Sequence, residues 1–185
     1  MPAIPLPDPQ LADGVVALRP WRDGDLAAIV AACQDPEVAR WTAIPSPYSD
    51  RDGREYLSRA EADRISGREL SLAVVDAVSG ELLGSCGLAR FDWDERKAEI
   101  GYWVVAEARR RSVGSRAARL LSHWGLRSLG LERIELLANP ENEASQRLAL
   151  SAGFTREGLL RQYRRRKGRR EDYVVFSLLA ADLEP

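Results

Sequence analysis

Three successive arginines, Arg109, Arg110 and Arg111, separate two apolar runs of different period in KAEIGYWVVAEARRRSVGSRAARLLS, residues 97–122. Guanidinium groups bind phosphate oxygens through paired N–H donors. The segment before them, with Ile100, Tyr102, Trp103, Val104 and Val105, has the β-branched and aromatic character of a strand. The segment after them places apolar residues at Val113, Ala117, Leu120, Leu121 and Trp124, the spacing of a helix. A loop from strand to helix leaves N–H groups of the first helical turn unpaired, where an anion gains roughly 0.3–2 kcal/mol. Residues 109–115 therefore read as a site for a phosphate-bearing ligand. The chain has no Gly-x-x-x-x-Gly-Lys-Ser/Thr run and no Gly-x-Gly-x-x-Gly run, which excludes the two commonest phosphate loops.

A second polar group stands in ANPENEASQRLALSAGF, residues 138–154. Asn139 and Pro140 interrupt a strand pattern, Asn142 is placed to cap the helix that follows, and Gly153 is placed to end it. At helical spacing Asn142 and Ser145 share a face, facing the end of a strand, and suit a ligand that carries amides and a thioester.

In combination the two stretches resemble the GNAT acetyltransferase superfamily, in particular its Rim-type branch of ribosomal-protein N-terminal acetyltransferases and their relatives. The pyrophosphate signature Gln/Arg-x-x-Gly-x-Gly/Ala is read on Arg109 to Gly114, and the Asn-x-x-Asn-x-x-Ser segment on Asn139, Asn142 and Ser145, followed by Gly153 and Phe154. One position departs: Ser112 stands where the family has glycine. A serine at a helix start can cap it and reach a phosphate oxygen. The resemblance extends over residues 15–179.

It implies an α/β fold with a mixed, mostly antiparallel central sheet of six to seven strands, one splayed pair, and helices on both faces. In such a fold the pantetheine arm of acetyl coenzyme A enters the splay. The backbone of Trp103, Val104 and Val105 would bond it, Arg109, Arg110, Arg111, Ser112, Val113, Gly114 and Ser115 would hold the pyrophosphate, and Asn139, Asn142 and Ser145 would complete the site. Glu99 takes the place of a carboxylate that accepts the amine proton in similar enzymes; as a strand residue it also reads as an outward glutamate paired with a nearby arginine. A backbone N–H near Val104 would steady the oxyanion. Ser145 is the expected donor to the departing sulfur, with Tyr163 in reserve. No metal is needed. The implied reaction is acetyl transfer to a primary amine, either a protein N-terminus or a small molecule, by direct attack in a ternary complex. The competing reading is a non-catalytic acyl-CoA sensor on the same fold.

These residues need a scaffold, and 185 residues are enough for one domain with a real core. We expect an extended arm over residues 1–13, where prolines crowd, and a single domain over 14–185. A strand at 14–19 precedes the helical run LAAIVAAC; Asp35 and Pro36 break that helix. Residues 37–48 read as a cleft lining, with Trp41 and Tyr48, and with Trp93 further on, as candidate acceptor-binding aromatics; the same side chains could cover the core's edge. A polar helix over 50–67, a hairpin over 70–91 and a final hairpin over 155–179 complete the pattern.

The net charge of −1 gives no general grip on nucleic acid, and the basic run from Arg164 to Arg170 around Gly168 reads as a solvated hairpin turn. Cys33 and Cys86 have neither metal spacing nor a disulfide framework, which fits a reducing cytoplasm. No run is apolar enough for a membrane. A homodimer is common among similar proteins.

Overall fold

The computed structural model describes residues 2–183; Met1 of the expected arm, and Glu184 and Pro185 of the expected domain, lie outside them. Eight strands and five helices follow in the order β1 (Leu11–Ala12), β2 (Val16–Arg19), α1 (Leu26–Cys33), α2 (Pro36–Trp41), α3 (Asp50–Ile65), β3 (Glu69–Asp76), β4 (Leu82–Asp92), β5 (Lys97–Val104), α4 (Val113–Ser128), β6 (Arg133–Ala138), α5 (Glu143–Ser151), β7 (Thr155–Arg166) and β8 (Arg169–Leu179). They form one sheet in the order β1-β2-β3-β4-β5-β6-β8-β7. Every neighbouring pair is antiparallel except β5 and β6, which α4 connects as a parallel crossover.

This is one strand more than the six to seven expected. The addition is β1, two residues that pair with Leu18 and Ala17 at the sheet edge, within the stretch read as an extended arm. Ile4 of the same stretch is fully buried, and its N–H donates to the Arg64 carbonyl. A two-residue strand preceded by prolines has no period to betray it.

Alternation along β3, β4 and β5 sends two sets of side chains to two layers. Leu70, Leu72, Val74, Leu88, Ala98 and Ile100 join Val113, Ala117 and Leu121 of α4 in the main core. On the other face Ile29 and Cys33 of α1 meet Tyr48, with Tyr56 and Leu57 of α3 packed against them. The helices start where the chemistry of capping allows. Ser49 and Asp52 form a reciprocal capping box on α3, and the Asn142 side chain accepts from the Ser145 N–H at α5. Gly153, at φ +96°, then ends α5 in the left-handed conformation.

Residues 36–41 are helical rather than a loop. The Asp35 side chain accepts from the Glu37 N–H, and Pro36 occupies the first turn, where its missing N–H costs nothing. The same Asp-Pro pair that stops α1 therefore starts α2. The β7–β8 hairpin turns at Lys167 and Gly168, both with positive φ, a tight turn that matches the strand twist. Three of its basic residues are tied down, while Arg165, Arg169 and Arg170 stay exposed, as a solvated turn requires. Arg166 pairs with Glu171 and donates to the Arg40 carbonyl, Lys167 donates to the Ala39 carbonyl, and Arg164 reaches Glu99. The hairpin tip is thus fastened to the end of α2.

Candidate active site

β5 and β6 pair only over Lys97–Glu99 and Arg133–Glu135. Beyond that point β5 stays with β4 as far as Val104, while β6 stays with β8 as far as Ala138. The edge of β5 from Ile100 onward therefore faces a wedge-shaped gap, and its backbone polar groups on that side need partners. A ligand with amides can supply them by lying along the edge as an added strand.

At the mouth of the gap a 3₁₀ turn over Ala106–Ala108 leads into the loop before α4. Arg110 and Ser112 are both left-handed, at φ 61° and 59°. That conformation costs an ordinary residue roughly 1–2 kcal/mol and suits glycine, so the backbone keeps the glycine geometry although the side chain has changed. Ser112 does not cap α4, contrary to expectation, because its left-handed backbone turns the hydroxyl away from the first-turn N–H groups; no side-chain cap bond forms. Its carbonyl accepts instead from the Arg116 N–H and the Ser115 hydroxyl. Arg110 and Arg111 are exposed at the helix start, where a phosphate would meet them.

Two other residues assigned to the loop point elsewhere. Arg109 turns inward, pairs with Asp35 at the start of α2, and donates to the Val104 carbonyl at 3.3 Å. It braces the loop instead of presenting its guanidinium to an anion. Gly114 is buried; a Cβ there would stand 2.5 Å from Leu148 Cδ1 and 3.3 Å from Val104 Cγ2. A Cβ would press on the tip of the Leu148 side chain, so the glycine eases the close approach of α4, α5 and β5, and Val113 beside it lies in the core. Asn139 is engaged as well, accepting from the Glu141 N–H at 2.9 Å and donating to Glu171 at 3.4 Å.

Ser145 lies on the α4–α5 side of the gap. Its Oγ accepts a 2.8 Å hydrogen bond from the hydroxyl of Tyr102. Burial pushes the Tyr102 phenol up to about 12, so it remains a donor at neutral pH. Accepting that bond leaves the Ser145 proton free for a third group and strengthens it as a donor. Tyr102 was missed in the sequence; the available signal was a phenol on the buried register of β5, after Ala98 and Ile100. Tyr163 is not brought to this pair. It is exposed on β7, with its ring against Tyr173 and the Arg164 guanidinium 5.1 Å from its centroid.

The opposite face of the same strands carries a cleft of about 430 Å³ lined by Tyr48, Tyr56, Trp103, Asp52, Glu55, Arg59 and Glu69, among others. Trp103 stacks on Trp21, with centroids 6.3 Å apart, and the Tyr56 hydroxyl bonds Ser71 at 2.6 Å and Ser85 at 3.3 Å. Between these walls the sheet register aligns Ser71, Gly87 and Gly101, so two neighbouring strands carry no side chain. A Cβ on Gly101 would meet nothing within 4 Å. Of the aromatics proposed to meet the acceptor, Tyr48 lines this cleft. Trp41 bonds Glu37 along α2 and lies under Arg40; Trp93 stacks on Phe91 at the far turn of the β4–β5 hairpin. The polar helix over 50–67 was legible as a flank of the acceptor site, but that Tyr56 of α3 and Glu69 of β3 would line the cleft was not.

Glu99 lies on the cleft face of β5, but its two oxygens accept from the two terminal nitrogens of Arg164, and Arg90 stands 3.7 Å away. To take a proton it must first give up part of this fork. The arginine-paired reading of Glu99 is the one the geometry shows. Among the described residues, no three His, Cys, Asp or Glu side chains gather as a metal site.

A wedge between two strands, an exposed basic loop at its mouth and a cleft on the other face meet along β5. Residues 16–155 match the family described as acetyltransferase (GNAT) domain. An N-acetyltransferase of Bacillus licheniformis is 32% identical over 165 residues, covering 89% of this chain and 92% of that protein. The ribosomal-protein-serine acetyltransferase of Escherichia coli is 33% identical over 82 residues, 44% of this chain and 46% of that one. RimJ of Mycobacterium smegmatis, solved in complex with CoA-disulfide, superposes with a TM-score of 0.81 at 25% identity, covering 93% of this chain and 85% of RimJ. The chain belongs to the GNAT acetyltransferase family and is an N-acetyltransferase.

Proposed function

We propose that this protein transfers the acetyl group of acetyl coenzyme A to a primary amine by direct attack, with both substrates bound at once. The observation that carries the reading is the gap along β5, open to the α4–α5 side at Tyr102 and Ser145 and to the cleft side at Trp103 and Gly101. Two substrates entering from opposite faces need no covalent enzyme intermediate, because the strand edge already holds their reacting ends together.

The free edge of β5 at Trp103, Val104 and Val105 would hold the pantetheine amides, and Arg110, Arg111 and the first turn of α4 would hold the pyrophosphate. The amine would reach the thioester over Gly101, where no side chain intervenes. A backbone N–H near Val104 would stabilise the oxyanion. Ser145, polarised by Tyr102, would then give its proton to the departing sulfur and recover one through the phenol or water.

The cleft is flanked by aromatics, which fits a primary amine at the tip of an extended chain. An N-terminal peptide beginning with serine is the first acceptor to test, because the Escherichia coli relative is a ribosomal-protein-serine acetyltransferase. Small amines are the second. The test is thiol release from acetyl coenzyme A with a panel of both kinds, beside calorimetric titration of the coenzyme. Release with at least one amine and initial-rate lines that intersect support the proposal. Coenzyme binding with no release for any amine identifies a non-catalytic acyl-CoA-binding domain, and parallel lines identify a covalent intermediate.

A further inference from the structure

Two carboxylates stand in one cross-strand row of the cleft face. Glu69 pairs with Ala89, and Ala89 with Glu99, so their Cα atoms are two strand spacings apart, roughly 10 Å. Their surroundings differ. Glu99 is held by Arg164 through both oxygens, whereas Glu69 lines the cleft and, among the described residues, has neither a hydrogen bond nor an ion pair on its carboxylate. A partly buried carboxylate without a partner lowers stability unless it does something else.

Resting on the acetyl-transfer reading, we propose that Glu69, rather than Glu99, accepts the proton of the incoming ammonium group. The glycine floor supports this placement. Gly87 and Gly101 lie in the next row, between Glu69 and Trp103, and leave a path for the amine or for one bridging water. The charged and titratable groups facing Glu69 are Arg59, Asp63 and Tyr56 of α3 and Arg90 of β4. Burial, followed by Asp63, raises its carboxyl above the usual range; Arg59 and Arg90 oppose the shift without cancelling it. A carboxylate raised in this way is a better base near neutral pH than one held in an arginine fork.

The proton balance closes. The ammonium form of the acceptor gives one proton to the Glu69 carboxylate, which later releases it to solvent. The free nitrogen pair forms the N–C bond, the C–S bond breaks, and the second nitrogen proton is matched by the one that Ser145 delivers to sulfur. The products are an acetamide, a thiol and one released proton.

The linkage sign supplies a readout independent of catalysis. Because the folded state favours protonated Glu69, its ionisation destabilises the fold as pH rises from the unfolded carboxyl value through the raised folded one. Glu69→Gln should therefore raise the thermal midpoint at pH 7, whereas removal of a structural glutamate would lower it. The same variant should lose about 100-fold or more in kcat/KM at pH 7, and recover as pH passes the pKa of the amine, where the neutral nucleophile is supplied by solvent. Coenzyme affinity by calorimetry should not change. Glu69→Asp, which keeps the base and shortens it, should retain the acidic limb of the pH profile at a reduced rate. Glu99→Gln should lose less than about tenfold and keep that limb.

The assignment is overturned if Glu69→Gln keeps a wild-type pH profile, if its midpoint falls, or if Glu99→Gln is the variant that loses the limb. A wild-type enzyme that acetylates no amine overturns the proposed function instead; the change in midpoint then decides on its own whether Glu69 is held at a cost to stability.

Discussion

The two faces of the splayed strand differ in how they are built. On the side proposed for the coenzyme, Arg110, Arg111, Ser112, Tyr102 and Ser145 come from two unbroken stretches, joined by the one Tyr102–Ser145 hydrogen bond. On the acceptor side, Tyr48, Tyr56, Glu69 and Trp103 come from a loop, a helix and two strands, and only the sheet register gathers them. A site made of loop and helix terminus offers a ligand its backbone N–H groups, whatever the side chains around it. A site made of side chains from many elements can change its acceptor without disturbing the coenzyme.

That contrast can be broken most sharply at Gly101. Filling the glycine floor with Gly101→Val should reduce kcat/KM for the amine by about 100-fold or more, since small displacements of a reacting group cost that much. Coenzyme affinity, measured by titration, should stay within twofold. Equal loss of both would mean that the two faces are not separable. The converse change, Arg110→Glu with Arg111→Glu, should weaken coenzyme binding by about 30-fold, some 2 kcal/mol for two reversed charges at a helix start. The acceptor KM at saturating coenzyme should not move. Unaltered coenzyme affinity would place the pyrophosphate elsewhere.

Within the coenzyme side, Tyr102→Phe removes one hydroxyl and leaves the ring against Gly114. We expect kcat to fall about tenfold, near 1.4 kcal/mol for the lost hydrogen bond. Coenzyme affinity should be unchanged, and Ser145→Ala should add little to it, because the two groups act as one donor. Additive losses would separate them. The smallest effect is expected from Ser112→Gly, which relieves the left-handed strain and should stabilise the fold by about 1 kcal/mol in urea unfolding, with coenzyme binding retained.

The sheet, the parallel crossover and the Asn142 cap were legible because each has a local signature: a period, an apolar run, a capping residue. The partners of Arg109 and Gly114 were not: Asp35 lies 74 positions from Arg109, Leu148 packs against Gly114, and neither neighbour can be inferred from motif spacing. For Glu99 an arginine partner was legible as one of two readings, but not that it would be Arg164 of the last hairpin. Tyr56 and Glu69 lay within stretches that read as ordinary surface helix and strand. Nothing short of the register could reveal that they face Trp103.

The six-residue α2 is anchored at both ends, by Arg109 of the coenzyme loop at Asp35 and by the hairpin tip at the Ala39 and Arg40 carbonyls. It works as a crossbar between the place where one substrate docks and the rim past which the other must enter. Loosening either fastening would transmit slack to the far side, so a change made at one rim should be felt at the other through one short rod.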